Sequence, residues 1–376
     1  MSATPRNHLC MAVATVLLAT ATWATAGNDD DDGHNFGYRH STVCEKSANK
    51  MFRSCRFEIN EEYFATIAKC LNQVDSDEPS QKKCQKIARE TYQEERKGCR
   101  DQREAREDIC ELLGEDRYGP EDLLDTGNFV AEPDDSNPYF SLRPGHTYVA
   151  VAGENFEETI VVTVTDQVRE VLGVNCRKVV DVVLIEEGGD LVPVEVTDDY
   201  YAQALNGDVH YCGEVARNFE DGVLNNLDGS FEAGRGLAKS GILIKAQPAS
   251  GDAHRQEYLL GEAEDVIQYV AGVDNPTSVG QGEGGENPDF PCAGACVKTE
   301  EFIPPEPGVG EFKYFLPGTG FVLGVALEDG IPTGERDEVI CTGDSLAVLS
   351  DAKCGLNNPD ELLDKLCELS PAAFCE

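Results

Sequence analysis

The chain has 376 residues, 70 Asp plus Glu against 31 Lys plus Arg, a formal net charge of −39, and 15 cysteines. A field that negative repels nucleic acid and anionic membrane surfaces and attracts cations. No stretch reaches the roughly 18 consecutive apolar residues of a spanning helix, so a soluble monomer with no membrane span is expected.

Residues 1–26 read as a signal peptide. Arg6 supplies the positive start, Met11 to Leu18 is a short apolar run, and Ala24-Thr25-Ala26 is a small-x-small cleavage site. Cys10 lies inside the apolar run, so its removal leaves an even set of cysteines. Even cysteine usage in an exported chain predicts disulfides and a secreted or periplasmic location. Residues 27–40 form an acidic linker. Asn28, Asp30, Asp32 and Gly33 match the first half of an EF-hand loop, but Arg39 stands where that loop needs a bidentate Glu.

Residues 41–114 predict two helices. Thr42-x-x-Glu45 is a capping box, the first helix runs to about Gln73, and Ser80 can cap the second, which stops near Gly114. Short apolar stripes run along both (Met51, Phe52, Ile59, Phe64, Ile67; Ile87, Tyr92, Ile109, Leu113). Cys44, Cys55, Cys70, Cys84, Cys99 and Cys110 are spaced 11, 15, 14, 15 and 11 apart, a palindrome. In an antiparallel hairpin, facing residues have a constant index sum, and here the outer, middle and inner pairs share one value. Of the 15 possible connectivities, this selects the nested ladder Cys44–Cys110, Cys55–Cys99 and Cys70–Cys84. The arrangement resembles the twin C-x9-C helical hairpins of small oxidised eukaryotic proteins, with longer arms and an extra inner pair.

Residues 115–141 read as a Pro- and Asp-rich connector. From 142 to 345 the period changes from 3.6 to 2. Thr159 to Thr165, Cys176 to Ile185, Val192 to Ala204, Asp208 to Val215, Gly241 to Lys245, Gln256 to Leu260, Cys296 to Ile303, Gly310 to Leu316, Phe321 to Leu327 and Glu338 to Cys341 are β-rich runs with close turns such as Asn206-Gly207. They predict an antiparallel meander curled into a half-barrel, barrel or sandwich. Gly272 to Pro291 reads as a mobile loop. Residues 346–376 predict a helical tail capped by Asn358 with Pro359 at its first position and tied by Cys354, Cys367 and Cys375. The fold class expected is α+β.

Sequence signatures of catalysis are sparse. Gly234-Arg235-Gly236-Leu237-Ala238-Lys239-Ser240 has the wrong spacing for a phosphate loop, and there is no G-x-S-x-G, H-E-x-x-H or C-x-x-C. His210-x-Cys212 puts two soft ligands on one strand face, against the plainer reading of Cys212 bonded to Cys176 with His210 at the surface. Cys292 and Cys296 are disulfide material, and Cys341 completes the even set. Asp198, Asp199, Glu262, Glu264 and Asp265 are the candidates for calcium, although clusters arise by chance in so acidic a chain.

Several motifs carry a resemblance: Asn137-Pro138-Tyr139-Phe140-x-Leu142-x-Pro144-Gly145, Glu158-Thr159 to Thr165, Gly173-Val174-x-Cys176, Phe231-Glu232-Ala233-Gly234, Gly251-Asp252-x-x-Arg255-Gln256-Glu257-Tyr258, Gly261-Glu262-Ala263-Glu264-Asp265 and Lys313-Tyr314-Phe315-x-Pro317-Gly318-x-Gly320. With the cysteine hairpin, they make most of residues 45–330 similar to a group of secreted bacterial proteins with an N-terminal six-cysteine helical hairpin and an antiparallel β domain. No activity is attached to that group, so the resemblance implies architecture and location. The expected function is therefore an exported, non-enzymatic binding or interaction protein for a protein, cation or apolar ligand. A periplasmic carrier holding a lipid or other apolar ligand in a concave sheet is the first alternative, and a carboxylate-based hydrolase the second. A large apolar cavity would favour the carrier; two buried carboxylates in a cleft would favour the hydrolase.

Overall fold

The structure, a computed structural model, describes residues 42–72, 78–114, 119–120, 124–153 and 155–375. The signal peptide and acidic linker expected over 1–40 lie outside the described residues, as does most of the turn between the two helices.

Helix α1 spans Val43–Leu71 and α2 spans Glu78–Leu113. Thr42 and Glu45 cap α1 reciprocally, each side chain accepting the other's backbone N–H at 3.1 Å. Ser80, expected to precede the second helix, lies inside it: α2 starts earlier, at Glu78, with Pro79 in the first turn where its missing N–H costs nothing. The six hairpin cysteines pair as the nested ladder, with Cα atoms 6.4, 5.8 and 5.7 Å apart. The apolar stripes contribute less than expected. Phe64 is 66% and Ile87 52% exposed, while Ala48, Ile59, Ala88 and Ile109 are the buried aliphatics. With so small a core, the disulfides hold the two helices together.

Among the described residues fifteen strands follow: β1 Thr147–Ala152, β2 Glu158–Val171, β3 Val174–Glu187, β4 Asp190–Gln203, β5 Val209–Glu220, β6 Val223–Asn226, β7 Phe231–Glu232, β8 Lys239–Ile244, β9 Ala253–Arg255, β10 Glu257–Tyr258, β11 Val266–Ala271, β12 Val297–Phe302, β13 Val309–Leu316, β14 Gly320–Glu328 and β15 Ile331–Gly343. All named pairings are antiparallel, in the order β10-β8-β5-β4-β3-β2-β1-β15-β14-β13-β12-β11-β9. The two ends of that path are neighbours in sequence. Residues 257–258 pair with β8 and residues 253–255 pair with β11, so one six-residue segment draws the sheet into a nearly closed barrel. Gly241 permits this closure, because a Cβ there would sit 2.3 Å from the Gln256 carbonyl oxygen. The other seam joins the first and last strands, Thr147 opposite Gly343.

The outer wall is clothed piece by piece. Helices α3 (Pro359–Leu369) and α4 (Pro371–Phe374) lay Leu362, Leu366 and Phe374 on Val149, Val161, Val180, Val182 and Val196. Cys341–Cys354 and Cys367–Cys375 fix this tail. Asn358 makes no capping bond; its amide donates instead to Glu361 at 3.1 Å. The stretch 272–291, expected to be mobile, is pinned. The Asn287 amide donates to the carbonyls of Val322 and Val339, both at 3.0 Å, and Glu283 is buried against Lys298 and Tyr314. The hairpin docks on a third patch, with Cys44 and Ile109 against Tyr258 and Val266. Arg106 there grips Glu264 with two bonds of 2.9 and 2.7 Å, both side chains almost fully buried.

Candidate functional site

Strand alternation places successive side chains on opposite faces. At one end of the barrel the inward positions are apolar: Val162, Val164, Val179, Val209, Ile244, Ile267, Tyr269, Val297 and Phe315. The segment before β1 inserts Tyr139, Phe140 and Leu142 among them, held by the Asn137 amide on the Gly207 carbonyl at 2.9 Å. The space left beside Tyr139, Phe140 and Phe321 is about 20 Å³. That is room for about one water, far short of the several hundred Å³ a lipid-sized ligand fills. This space beside Tyr139, Phe140 and Phe321 does not hold a lipid-sized ligand.

Toward the other end the same inward rows turn acidic. β3 contributes Asp181, β4 Glu195 and Asp199, β5 Glu214, β12 Glu301, β13 Glu311 and Lys313, and β15 Asp337; Glu257 and Asp265 border β10 and β11. Two like-charged pairs stand directly opposite in the ladder, Asp199 with Glu214 and Glu301 with Glu311, an arrangement that is ordinarily destabilising. Each pair has its own relief. Lys313 Nζ bridges Glu301 at 2.7 Å and Glu311 at 3.3 Å. The Tyr211 hydroxyl lies between the other two, in close contact with Asp199 and 2.7 Å from Glu214. A phenol has one proton to donate. Both contacts are satisfied only if one carboxyl is protonated and donates to the phenol oxygen. Gly324 makes room for Glu311, whose carboxylate would lie 2.0 Å from a Cβ at that position.

The interior is enclosed but not dry. Lys313 and Glu311 keep 24% and 25% of their side-chain surface accessible although both point inward, so they face space that water can enter. Loss of bulk solvent still dominates their chemistry. It pushes Asp199 up to about 7 against the Tyr211 hydrogen bond, and Asp265 up to about 7 with help from Glu301. It pushes Glu311 up to about 8 in spite of Lys313, and Asp337 up to about 6. Asp181, Glu214 and Glu257 rise well above the usual carboxylate range, through burial first and through their acidic neighbours second. Burial opposes the charge of Lys313, but Glu301 and Glu311 outweigh it and hold the ammonium above its ordinary value.

The five residues singled out for calcium are not gathered into one site. Asp198 and Asp199 are successive on β4 and face opposite ways. Asp198 points out to Lys178 at 2.9 Å and Arg217 at 3.2 Å, while Asp199 points into the barrel. Glu264 holds Arg106 beneath the hairpin, Glu262 sits on the outer turn, and Asp265 lies inside. Among the described residues no group of three or more His, Cys, Asp or Glu side chains is placed to hold a metal ion. Cys212 is bonded to Cys176, and His210 is buried rather than at the surface, its ring edge-on to Phe129 at 5.0 Å. Cys292 and Cys296 are bonded to each other. Sequence reading missed Asp181, Glu195, Glu214, Glu257, Glu301, Glu311, Lys313 and Asp337. The signal was there in Glu195-x-Thr197-x-Asp199-x-Tyr201 and Glu311-x-Lys313-x-Phe315, where acids occupy the row that packing would fill with apolar residues.

Seven disulfides among the described residues place the chain in an oxidising compartment, secreted or periplasmic. No helix among the described residues is long and apolar enough to cross a membrane. No family model and no curated protein matches the sequence. Two solved structures are similar in part. One is a Bacteroides fragilis protein with a YmcC-like fold, assigned as exported, with 12% identity, a TM-score of 0.23, and coverage of 55% of this chain and 98% of its own. The other is a Parabacteroides distasonis protein assigned as a lipoprotein, with 11% identity, a TM-score of 0.27, and coverage of 56% and 100%. Likenesses of that size carry no inference about function.

Proposed function

We propose that this protein is an exported, non-enzymatic binding protein that takes a positively charged small solute into the acid-lined half of its barrel. The observation that supports this reading is the imbalance of the inner wall. Among the described residues, Asp181, Glu195, Asp199, Glu214, Glu257, Glu301, Glu311, Asp265 and Asp337 line the inner wall with Lys313 as the cation in ion-pair contact with them. An added cation would relieve the mutual repulsion of the row and offset the desolvation that raises Asp181, Asp199, Glu214 and Asp337. Binding would then displace protons and strengthen from pH 6 to pH 8. The test is a thermal-shift panel of small organic and inorganic cations and anions at matched ionic strength, run at both pH values. Cations are expected to raise the melting temperature more at pH 8 than at pH 6, and less when Asp199→Asn and Asp181→Asn are combined. A panel in which anions stabilise as well as cations would refute the proposal.

A carboxylate-based hydrolase is the second reading. The hydrogen bond between Glu257, raised well above the usual carboxylate range by burial, and Asp265, pushed up to about 7, favours it. Cleavage of nitrophenyl glycosides that is abolished in Glu257→Gln would support it; background rates across the panel would end it.

A further inference from the structure

We infer that two copies of this chain pair along the outer face of α1, antiparallel, about a two-fold axis through Phe57. The first observation is that α1 is apolar on two opposite sides. Cys44, Ala48, Ile59 and Cys70 are buried on the side toward α2. Val43, Phe57, Phe64 and Leu71 lie on the other side, at multiples of seven residues. At about 100° per residue that spacing makes one continuous stripe along a helix. All four are exposed, and Phe57 at 70% and Phe64 at 66% are the most exposed phenylalanines among the described residues. A helix that had only α2 to pack against would carry one apolar stripe. A second one, in contact with solvent, marks an interaction face.

The second observation says what covers it. The charges along this face are divided: Lys46, Lys50 and Arg53 precede Phe57, and Glu61 follows it. In an antiparallel pair, facing residues have a constant index sum. With the axis at Phe57, Val43 meets the partner's Leu71, Lys50 meets the partner's Phe64, and Arg53 lies level with the partner's Glu61. Apolar ends therefore meet apolar ends, an ammonium meets a ring face, and the flanking charges are of opposite sign. Among the described residues neither Arg53 nor Glu61 has an ion-pair partner in its own chain. A parallel pair would set Arg53 against Arg53 and Glu61 against Glu61.

The third observation concerns the whole charge. A net −39 predicts a monomer, because copies repel. The charge is unevenly spread, however. Helices α1 and α2 together carry 14 basic and 13 acidic side chains, so the excess of acid lies elsewhere. The hairpin is the one large element on which two copies can meet without that repulsion. The barrel touches the first half of α1, at Cys44 and at Met51, whose Cε would lie 3.1 Å from a Cβ at Gly261. Antiparallel pairing therefore leaves the two acidic barrels at opposite ends of the paired helices.

Sedimentation velocity of the purified chain, run across the micromolar range at physiological salt, tests the inference. A reversible monomer–dimer equilibrium is expected. Phe57→Glu puts two acids on the axis and should weaken the dimer at least about tenfold. Ile331→Glu, an equivalent change at an exposed apolar residue of β15, should leave it unchanged. If Phe57→Glu does not fold by circular dichroism, Phe64→Glu serves in its place. Arg53→Glu and Glu61→Arg should each weaken the dimer by about three- to tenfold, and the two together in one chain should restore it. A chain that stays monomeric throughout would overturn the self-pairing and leave the stripe to a different protein. A dimer that Phe57→Glu does not weaken would overturn the surface. A double variant no tighter than the single ones would overturn the antiparallel register.

Discussion

At the scale of single residues, two kinds of buried charge coexist and behave differently. Arg106 and Glu264 are a paired kind, joined by two short bonds at the base of the hairpin. Breaking such a pair leaves one charge stranded, which costs about 3–5 kcal/mol. Glu264→Gln is therefore expected to release the hairpin from the barrel, with a matching fall in stability, while tyrosine signals from the barrel interior persist; hydrogen exchange localised to residues 99–113 and 258–266 would report it. The carboxylates of the interior are the other kind, crowded with their own sign. Neither kind could be recognised from composition, because a chain with 70 acids spreads them through every segment. What distinguishes Asp199 from Asp198 is which face of β4 it occupies, and that depends on a sheet closing around it.

At the scale of elements, the sequence was most legible where a constraint is local and arithmetical. Palindromic cysteine spacing fixed the register of α1 against α2, since only the nested ladder brings Cα atoms within 6.4 Å three times over. Period-2 runs located most of the long strands. Elements with weak local signals were lost: β11 was missed although Ile267 and Tyr269 are among the most buried side chains, and 272–291 was read as mobile because its Gly content conceals anchors such as Asn287. These are tertiary contacts, and no local pattern announces them. The hairpin also yields an expectation. Replacing Cys55 and Cys99 by Ser should lower hairpin stability by about 2–4 kcal/mol, a large share for helices with four buried aliphatics. Limited proteolysis should then cut within residues 50–105 while leaving the β segment intact.

At the scale of the whole molecule, the antiparallel architecture was legible but its closure was not. The short segment 253–258 serves two neighbours at once, and a half-barrel, barrel and sandwich share the same period. Closure is what sets the pH response. A carboxyl whose proton affinity is raised on folding stabilises the fold below its unfolded value near 4 and loses that contribution as pH rises through its folded value. Asp337, Asp199, Asp265 and Glu311, at about 6, 7, 7 and 8, therefore predict stability that declines from about pH 5 to pH 8. His210 and His254, buried and held down to about 4 and about 3, work the other way, losing stability as pH falls through their unfolded value. With the acids more numerous, urea midpoints should be higher at pH 5.5 than at pH 8, and Asp199→Asn should narrow the gap; a rising midpoint across that range would contradict this. The seam between β1 and β15 adds an order of events. Every other ladder joins near neighbours in the chain, whereas Thr147 waits for Gly343, roughly two hundred residues later, and such distant pairings are slow to form. Until the last strand arrives, the acids of the inner wall sit in open water and ionise like any others. Closing the barrel, at this seam and at residues 253–258, encloses them, so folding takes up protons from the medium.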